Sequence, residues 1–236
     1  MALLGLLCLT ALPAVAQEAR SEIAVDGKFD GKKGGQATDL SGIACRPEDD
    51  SGYTCVVVND ESPFAQFATL RNGRLIAGFK IDLLAGRGRR LADQTPPSGV
   101  FGSEAAGRPI IAERCSDRKI ESDFDEFDGE GVAWVPTGSG GIFYVVGSHA
   151  CSRSSGTRRR STHLLARIPV DRAGQVSGEP ELTWRLGQAL RRANFVAGHY
   201  GLPLNASQQG LDIEGVAALN GGEDLLFGLR APSLDG

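Results

Sequence analysis

The sequence predicts an all-β protein built from β-propeller-type repeats of four-stranded antiparallel blades, forming an incomplete propeller. Three observations predict it. A short acidic and glycine-bearing motif recurs. Asp128-Gly129-Glu130-Gly131-Val132-Ala133 is repeated as Asp212-Ile213-Glu214-Gly215-Val216-Ala217, and more weakly as Asp39-Leu40-Ser41-Gly42-Ile43-Ala44, at intervals of roughly 85 residues. Each copy is followed by a turn and a second apolar, β-prone run, which is the pattern of a hairpin. The 32 glycines suit a turn-rich β protein.

In chain order, residues 3–16 come first. They are apolar, end in the small-x-small pattern Ala14-Val15-Ala16, and are too short for a helix of roughly 20 residues that spans a bilayer. Residues 1–16 are therefore expected to be a secretory signal peptide, although no Lys or Arg precedes Leu3. Residues 17–236 are expected to form one propeller-like domain, cut short at its C-terminal side because the third repeat stops after its second strand. The mature chain is expected to be periplasmic or secreted, with no integral membrane segment. Setting Cys8 aside leaves Cys45, Cys55, Cys115 and Cys151, an even number that allows three pairings. Cys45 and Cys55 fall on the two strands of one predicted hairpin. That favours a local bridge and leaves Cys115 to pair with Cys151. A zinc site is disfavoured because no C-x-x-C or nearby His pair occurs.

In the first unit, Cys55-Val56-Val57-Val58-Asn59-Asp60-Glu61 returns from the motif strand. Arg71-Asn72-Gly73 then separates two further strands, since Asn-Gly suits the positive φ of a tight hairpin turn. Residues 85–106 are rich in Gly, Arg and Pro and read as a loop. In the second unit, Gly141-Ile142-Phe143-Tyr144-Val145-Val146-Gly147-Ser148-His149 answers the motif strand. Strands at 163–170 and 181–184 complete a blade. Residues 187–197 suggest a short helix with Leu190 and Ala193 on one face. In the third unit, Asp224-Leu225-Leu226-Phe227-Gly228-Leu229-Arg230 is the return strand. Trp134 and Trp184 fit core packing.

The motif residues, with Leu225-Leu226-Phe227-Gly228-Leu229-Arg230-Ala231-Pro232, resemble a family of exported bacterial proteins, the domain-of-unknown-function family numbered 3616. More distantly they are similar to the propeller-like family named for "esterase-like activity of phytase", which shares the Asp-x-Glu-Gly-hydrophobic-Ala pattern. The likeness covers roughly residues 36–236. It implies a propeller and export, and supplies no catalytic residue. Ser41 stands where the other copies have Glu130 and Glu214.

Two readings of the motif follow. In the structural one, Asp39, Asp128 and Asp212 cap turns by accepting backbone N–H bonds, and the glutamates pair with Arg or backbone. In the functional one, equivalent blades aim Asp128, Glu130, Asp212 and Glu214 at a shared axial mouth, joined by His149 and Arg230. Asn59, Asp60 and Glu61 are then candidate ligands for Ca²⁺, a hard cation that takes oxygen donors. A mixed mouth of His, Arg and carboxylate suits a small anionic molecule. The formal charge of −4 argues against nucleic acid as a partner. The run Arg158-Arg159-Arg160 reads as a solvated loop before a phosphate clamp. No G-x-S-x-G, P-loop, G-x-G-x-x-G or H-E-x-x-H pattern occurs. His163 reads as structural, and His199 as a turn residue before a functional one. The function expected is that of a ligand-binding scaffold using the axial mouth. The alternative is a hydrolase of phosphate or other esters, Ca²⁺-dependent in one version.

Overall fold

The computed structural model describes residues 22–49, 52–84, 115–117, 125–193, 196–205 and 209–233. The expected signal peptide at 1–16 and the expected loop at 85–106 lie outside the described residues. In chain order the strands are β1 (Ala24–Asp26), β2 (Leu40–Pro47), β3 (Tyr53–Asn59), β4 (Phe64–Arg71), β5 (Arg74–Asp82), β6 (Ser116–Asp117) and β7 (Gly129–Thr137). They continue with β8 (Gly140–Gly147), β9 (Thr157–Arg158), β10 (Leu165–Asp171), β11 (Glu181–Thr183), β12 (Asp212–Leu219) and β13 (Asp224–Ala231). Among the described residues there is one short α-helix, α1 (Arg185–Leu190), which overlaps only the start of the helix expected at 187–197.

The protein is all-β, with three antiparallel units. The first sheet runs β1-β5-β4-β3-β2, the second β11-β10-β8-β7, and the third is the hairpin β12-β13, while β6 and β9 form a separate short parallel pair. The second holds the four strands expected of a repeat. The first holds those four and β1, which runs parallel along β5 and carries no pattern that announced it. Asn72 and Gly73 both take positive φ, 50° and 70°, so the Asn-Gly turn closes β4 onto β5 as its sequence requires. Cys45 and Cys55 are directly opposite each other on β2 and β3 and lie at disulfide distance, as do Cys115 and Cys151. Among the described residues no helix is long and apolar enough to cross a membrane.

Alternation along the strands sends two apolar faces inward. Val56, Val58 and Phe67 of the first sheet meet Val132, Phe143, Val145 and Ile168 of the second. Phe67 packs edge-on to Phe143, with ring centroids 6.2 Å apart, and Trp134 lies 4.6 Å from Phe143. The second sheet's other face, through Val146 and Leu165, meets Ile213, Phe227 and Leu229 of the third unit and Leu186 and Leu190 of α1. Each such side chain contributes roughly 1.5–3 kcal/mol through burial. The outer face of the first sheet is closed by Phe29 and Ala37, which cover Cys55, Val57 and Ala68.

The three motif strands β2, β7 and β12 lie side by side at the inner edges of the units. Their glycines make this possible. A Cβ on Gly42 would sit 2.8 Å from Gly131 Cα, and one on Gly131 would sit 2.6 Å from the Val216 nitrogen and 2.8 Å from Gly215 Cα. No side chain fits in either gap, so backbone packs on backbone. A Cβ on Gly215, the third equivalent, would meet nothing within 4 Å. We predict that Gly131→Ala lowers stability by about 3 kcal/mol, because backbone on both sides has to move. Gly215→Ala is expected to change it by less than about 0.5 kcal/mol. Urea unfolding of the two variants provides the check, and equal losses would contradict the contact.

Candidate functional site

Each motif strand carries the same defect at the same place. Between β2 and β3 the pairing passes from Leu40↔Asn59 to Gly42↔Val58, leaving Ser41 over. Between β7 and β8 it passes from Gly129↔Gly147 to Gly131↔Val146, leaving Glu130 over. Between β12 and β13 it passes from Ile213↔Leu229 to Gly215↔Gly228, leaving Glu214 over. A bulge of this kind bends its strand and re-aims the extra side chain. Here the extra residues Ser41, Glu130 and Glu214 all line one cavity of about 710 Å³.

The same register identifies two further equivalent sets. The heads of the motif strands are Asp39, Asp128 and Asp212, and the exits of the return strands are Asp60, Ser148 and Arg230. All six line that cavity. Nine residues, three from each repeat, thus converge on one space. Arg153, Arg158 and Arg159 border it from the segment after β8.

Hydrogen bonds stitch the repeats together at its floor. Ser148 donates its backbone N–H to the Asp128 carbonyl at 3.1 Å and accepts from Ile213 N–H at 2.8 Å, which joins the second and third copies. Its hydroxyl donates to the Asp128 carboxylate. Phe127 N–H donates to the Ser62 carbonyl at 3.1 Å, joining the second copy to the first. Asp128 holds φ at 59°, a left-handed conformation that Asp tolerates better than most residues.

Among the described residues none of the three aspartates accepts a turn's backbone N–H in the way the structural reading expects. Asp39 accepts from the Thr38 hydroxyl at 2.9 Å. Asp212 is ion-paired with Arg230, which also reaches Glu214 at 2.6 Å. Arg230 is displaced into this position by a second irregularity, since Asp212↔Ala231 and Ile213↔Leu229 leave it without a register partner. Arg159 is held by Glu126 and, at 3.1 Å, by Asp125.

His149 is a correction. Its side chain is fully buried and turned away from the cavity. Its Nδ1 hydrogen-bonds the Gly147 carbonyl at 2.9 Å, and its ring lies 5.4 Å from that of His163. Burial lowers its pKa to about 4. The residue at the mouth is Ser148, one position earlier, and a one-residue step along a strand changes the face. His163 closes a short 3₁₀ turn ahead of β10, and it too is buried with a pKa well below the ordinary value. His199 donates to the Gln209 carbonyl at 2.8 Å, as a turn histidine would, and does not line the cavity. Of the expected calcium ligands, only Asp60 lines the cavity. Asn59 is spent locally: its amide donates to the Asp30 carbonyl at 3.1 Å and its oxygen accepts from Glu61 N–H at 3.0 Å. Among the described residues no group of three or more His, Cys, Asp or Glu side chains is placed to hold a metal ion.

The carboxylates crowd one another. Burial, with the charges of Asp128, Glu214, Asp212 and Asp60, raises the Glu130 pKa to about 8. Burial raises Asp128 to about 7, opposed by the Ser148 hydroxyl and reinforced by Glu126, Asp60 and Asp212. Burial raises Asp212 to about 6 against the pull of Arg230. Asp60 is raised by burial and by Asp39 and Glu61. Comparison of the chain with protein-family models, with curated proteins and with solved structures returned no match.

These shifts have a sign. A carboxyl whose folded pKa lies above its unfolded one stabilises the fold fully below the unfolded value, and that stability is lost as pH rises through the folded one. The buried histidines act oppositely, losing stability as pH falls below about 6.5. Between pH 6.5 and 8.5 the raised Asp128 and Glu130 outweigh what the buried histidines regain, so the melting temperature is expected to fall across that range. Glu130→Gln is expected to recover about 2 kcal/mol at pH 8.5, allowing for solvent screening, and almost none at pH 5. Thermal melts of both proteins at the two pH values test this. A wild-type profile that rises toward pH 8.5 would contradict it.

Proposed function

We propose that the three sheets are blades of a β-propeller and that the protein is an exported ligand-binding scaffold using its axial mouth. One observation carries this reading: equivalent residues from all three repeats line a single cavity, and strand bulges direct them there. Repeated bulges that cost ladder hydrogen bonds at the same position suit a site better than a bare structural repeat. The cavity volume lies in the range typical of small-molecule sites, roughly 300–1,000 Å³. The disulfide-distance cysteine pairs favour an oxidising compartment.

A specific observation favours a second reading, hydrolysis of phosphate or other esters. Glu130, raised to about 8, is a protonated acid at neutral pH, and Asp128, raised to about 7, is half ionised. Such a pair can protonate a leaving oxygen and take a proton from attacking water. Against an anionic substrate stands the commitment of Arg230 to Asp212 and Glu214.

Two measurements separate the readings. On the scaffold reading, a thermal-shift screen of small polar compounds at pH 7 finds stabilising ligands. Their effect is lost in Glu130→Gln, and p-nitrophenyl phosphate and p-nitrophenyl acetate are not turned over above background. On the hydrolase reading, one of those esters is turned over, and Glu130→Gln lowers kcat by about 100-fold or more while the melting temperature at pH 6 moves by only a few degrees. A screen without ligands, together with no turnover, would sink both.

A further inference from the structure

Seven carboxylates and four guanidiniums line the cavity. Arg230 is engaged by Asp212 and Glu214, and Arg159 by Glu126 and Asp125. Glu130 is left without an answer. It is only 8% exposed, it lines the cavity, and among the described residues it has no hydrogen bond or ion pair. The charges that act on it most strongly are those of Asp128, Glu214, Asp212 and Asp60, all of like sign, while Arg230 acts on it from a distance without pairing. Asp60 adds a buried Oδ1 with no hydrogen-bond partner. A buried carboxyl in this condition is costly, and a charged donor supplies what it lacks.

The chemistry of that donor follows from the rest of the lining. A bare metal ion is disfavoured, because no three acidic or histidine side chains among the described residues are placed around one point. A quaternary ammonium is disfavoured too, because among the described residues no Phe, Tyr or Trp lines the cavity to offer an aromatic face. The volume of about 710 Å³ exceeds what an ion fills and suits a small organic molecule. Resting on the reading of this cavity as a ligand site, we infer that it takes a small organic cation bearing a primary ammonium or guanidinium group, with Glu130 accepting its hydrogen bonds and Asp60 and Asp128 supplying the surrounding negative charge. Arg153, exposed at the rim, meets the outer end of such a molecule, so a second cationic group there is disfavoured and a neutral or acidic tail is favoured.

Binding a cation requires Glu130 to ionise, so it releases a proton and strengthens as pH rises. Calorimetric titration of the whole chain with n-butylamine, 4-aminobutanoate and 4-guanidinobutanoate, at pH 6.0 and 8.5 in two buffers of different ionisation heat, tests this. Tetramethylammonium, CaCl₂ and inorganic phosphate are the comparison probes. The expected result is binding of the amine or guanidine probes, about tenfold or more tighter at pH 8.5, with proton release at neutral pH and loss of about tenfold or more in Glu130→Gln. The pH dependence and proton release of the wild-type protein carry the test even if that variant fails to fold. Binding of phosphate, Ca²⁺ or tetramethylammonium, with the amines silent, would overturn the inference and leave the cavity a ligand site. Amine binding that is unchanged in Glu130→Gln and independent of pH would overturn it as well. Silence of every probe, together with a blank thermal-shift screen, would remove both this inference and the functional reading beneath it.

Discussion

The rest of the structure depends on backbone contact between the motif strands. Gly42 packs against Gly131, and Gly131 against Gly215 and Val216, at distances that exclude any Cβ. That closeness draws the motif strands of three sheets together, with the apolar layers packed between the sheets. It also fixes the position of the residue just before each glycine. In all three copies that residue is left over by a bulge and turned into a common space. The glycine and the acid of the motif are therefore two halves of one device: the first lets the strands meet, and the second occupies the place where they meet.

The electrostatic character of the cavity follows from this geometry. Bringing equivalent positions together brings like charges together when those positions are acidic, and their burial adds to the repulsion. The protein relieves part of the repulsion with Arg230 between Asp212 and Glu214, and with Arg159 between Glu126 and Asp125. Ser148 relieves another part by hydrogen-bonding Asp128. Glu130 has no side-chain hydrogen bond or ion pair among the described residues, and burial with its acidic neighbours raises its pKa to about 8. The most buried acid, Asp212, is thus ion-paired, whereas Glu130, without such a partner, lies in the repeat flanked by both others.

Much of this was legible in the sequence, and the reasons are particular. The hairpins were readable because alternation and the Asn72-Gly73 turn act locally. The cysteine pairing was readable because Cys45 and Cys55 fall on facing strands. The meeting of Asp128, Glu130, Asp212 and Glu214 was readable from the repeat, since equivalent positions in equivalent units share surroundings. His149 was misread for Ser148 because register in the return strand is set by the bulge in its partner. The glycine directly after each extra residue was the available signal. Strand β1 was missed because its three residues pair with β5 from a distance in sequence that propensity cannot see. The pairing of Arg230 with two acids likewise depends on an irregularity of β13.

The central claim is that acids from different repeats face one another across one space. It is tested most directly by following the side-chain carboxyl ¹³C resonance of Glu130 with pH, in the wild-type protein and in Glu214→Gln. If the claim holds, Glu130 titrates near 8 in the wild type, and removing a charge that belongs to another repeat moves its midpoint downward. A Glu130 midpoint in the ordinary glutamate range, unmoved by Glu214→Gln, would contradict the convergence and the account built on it.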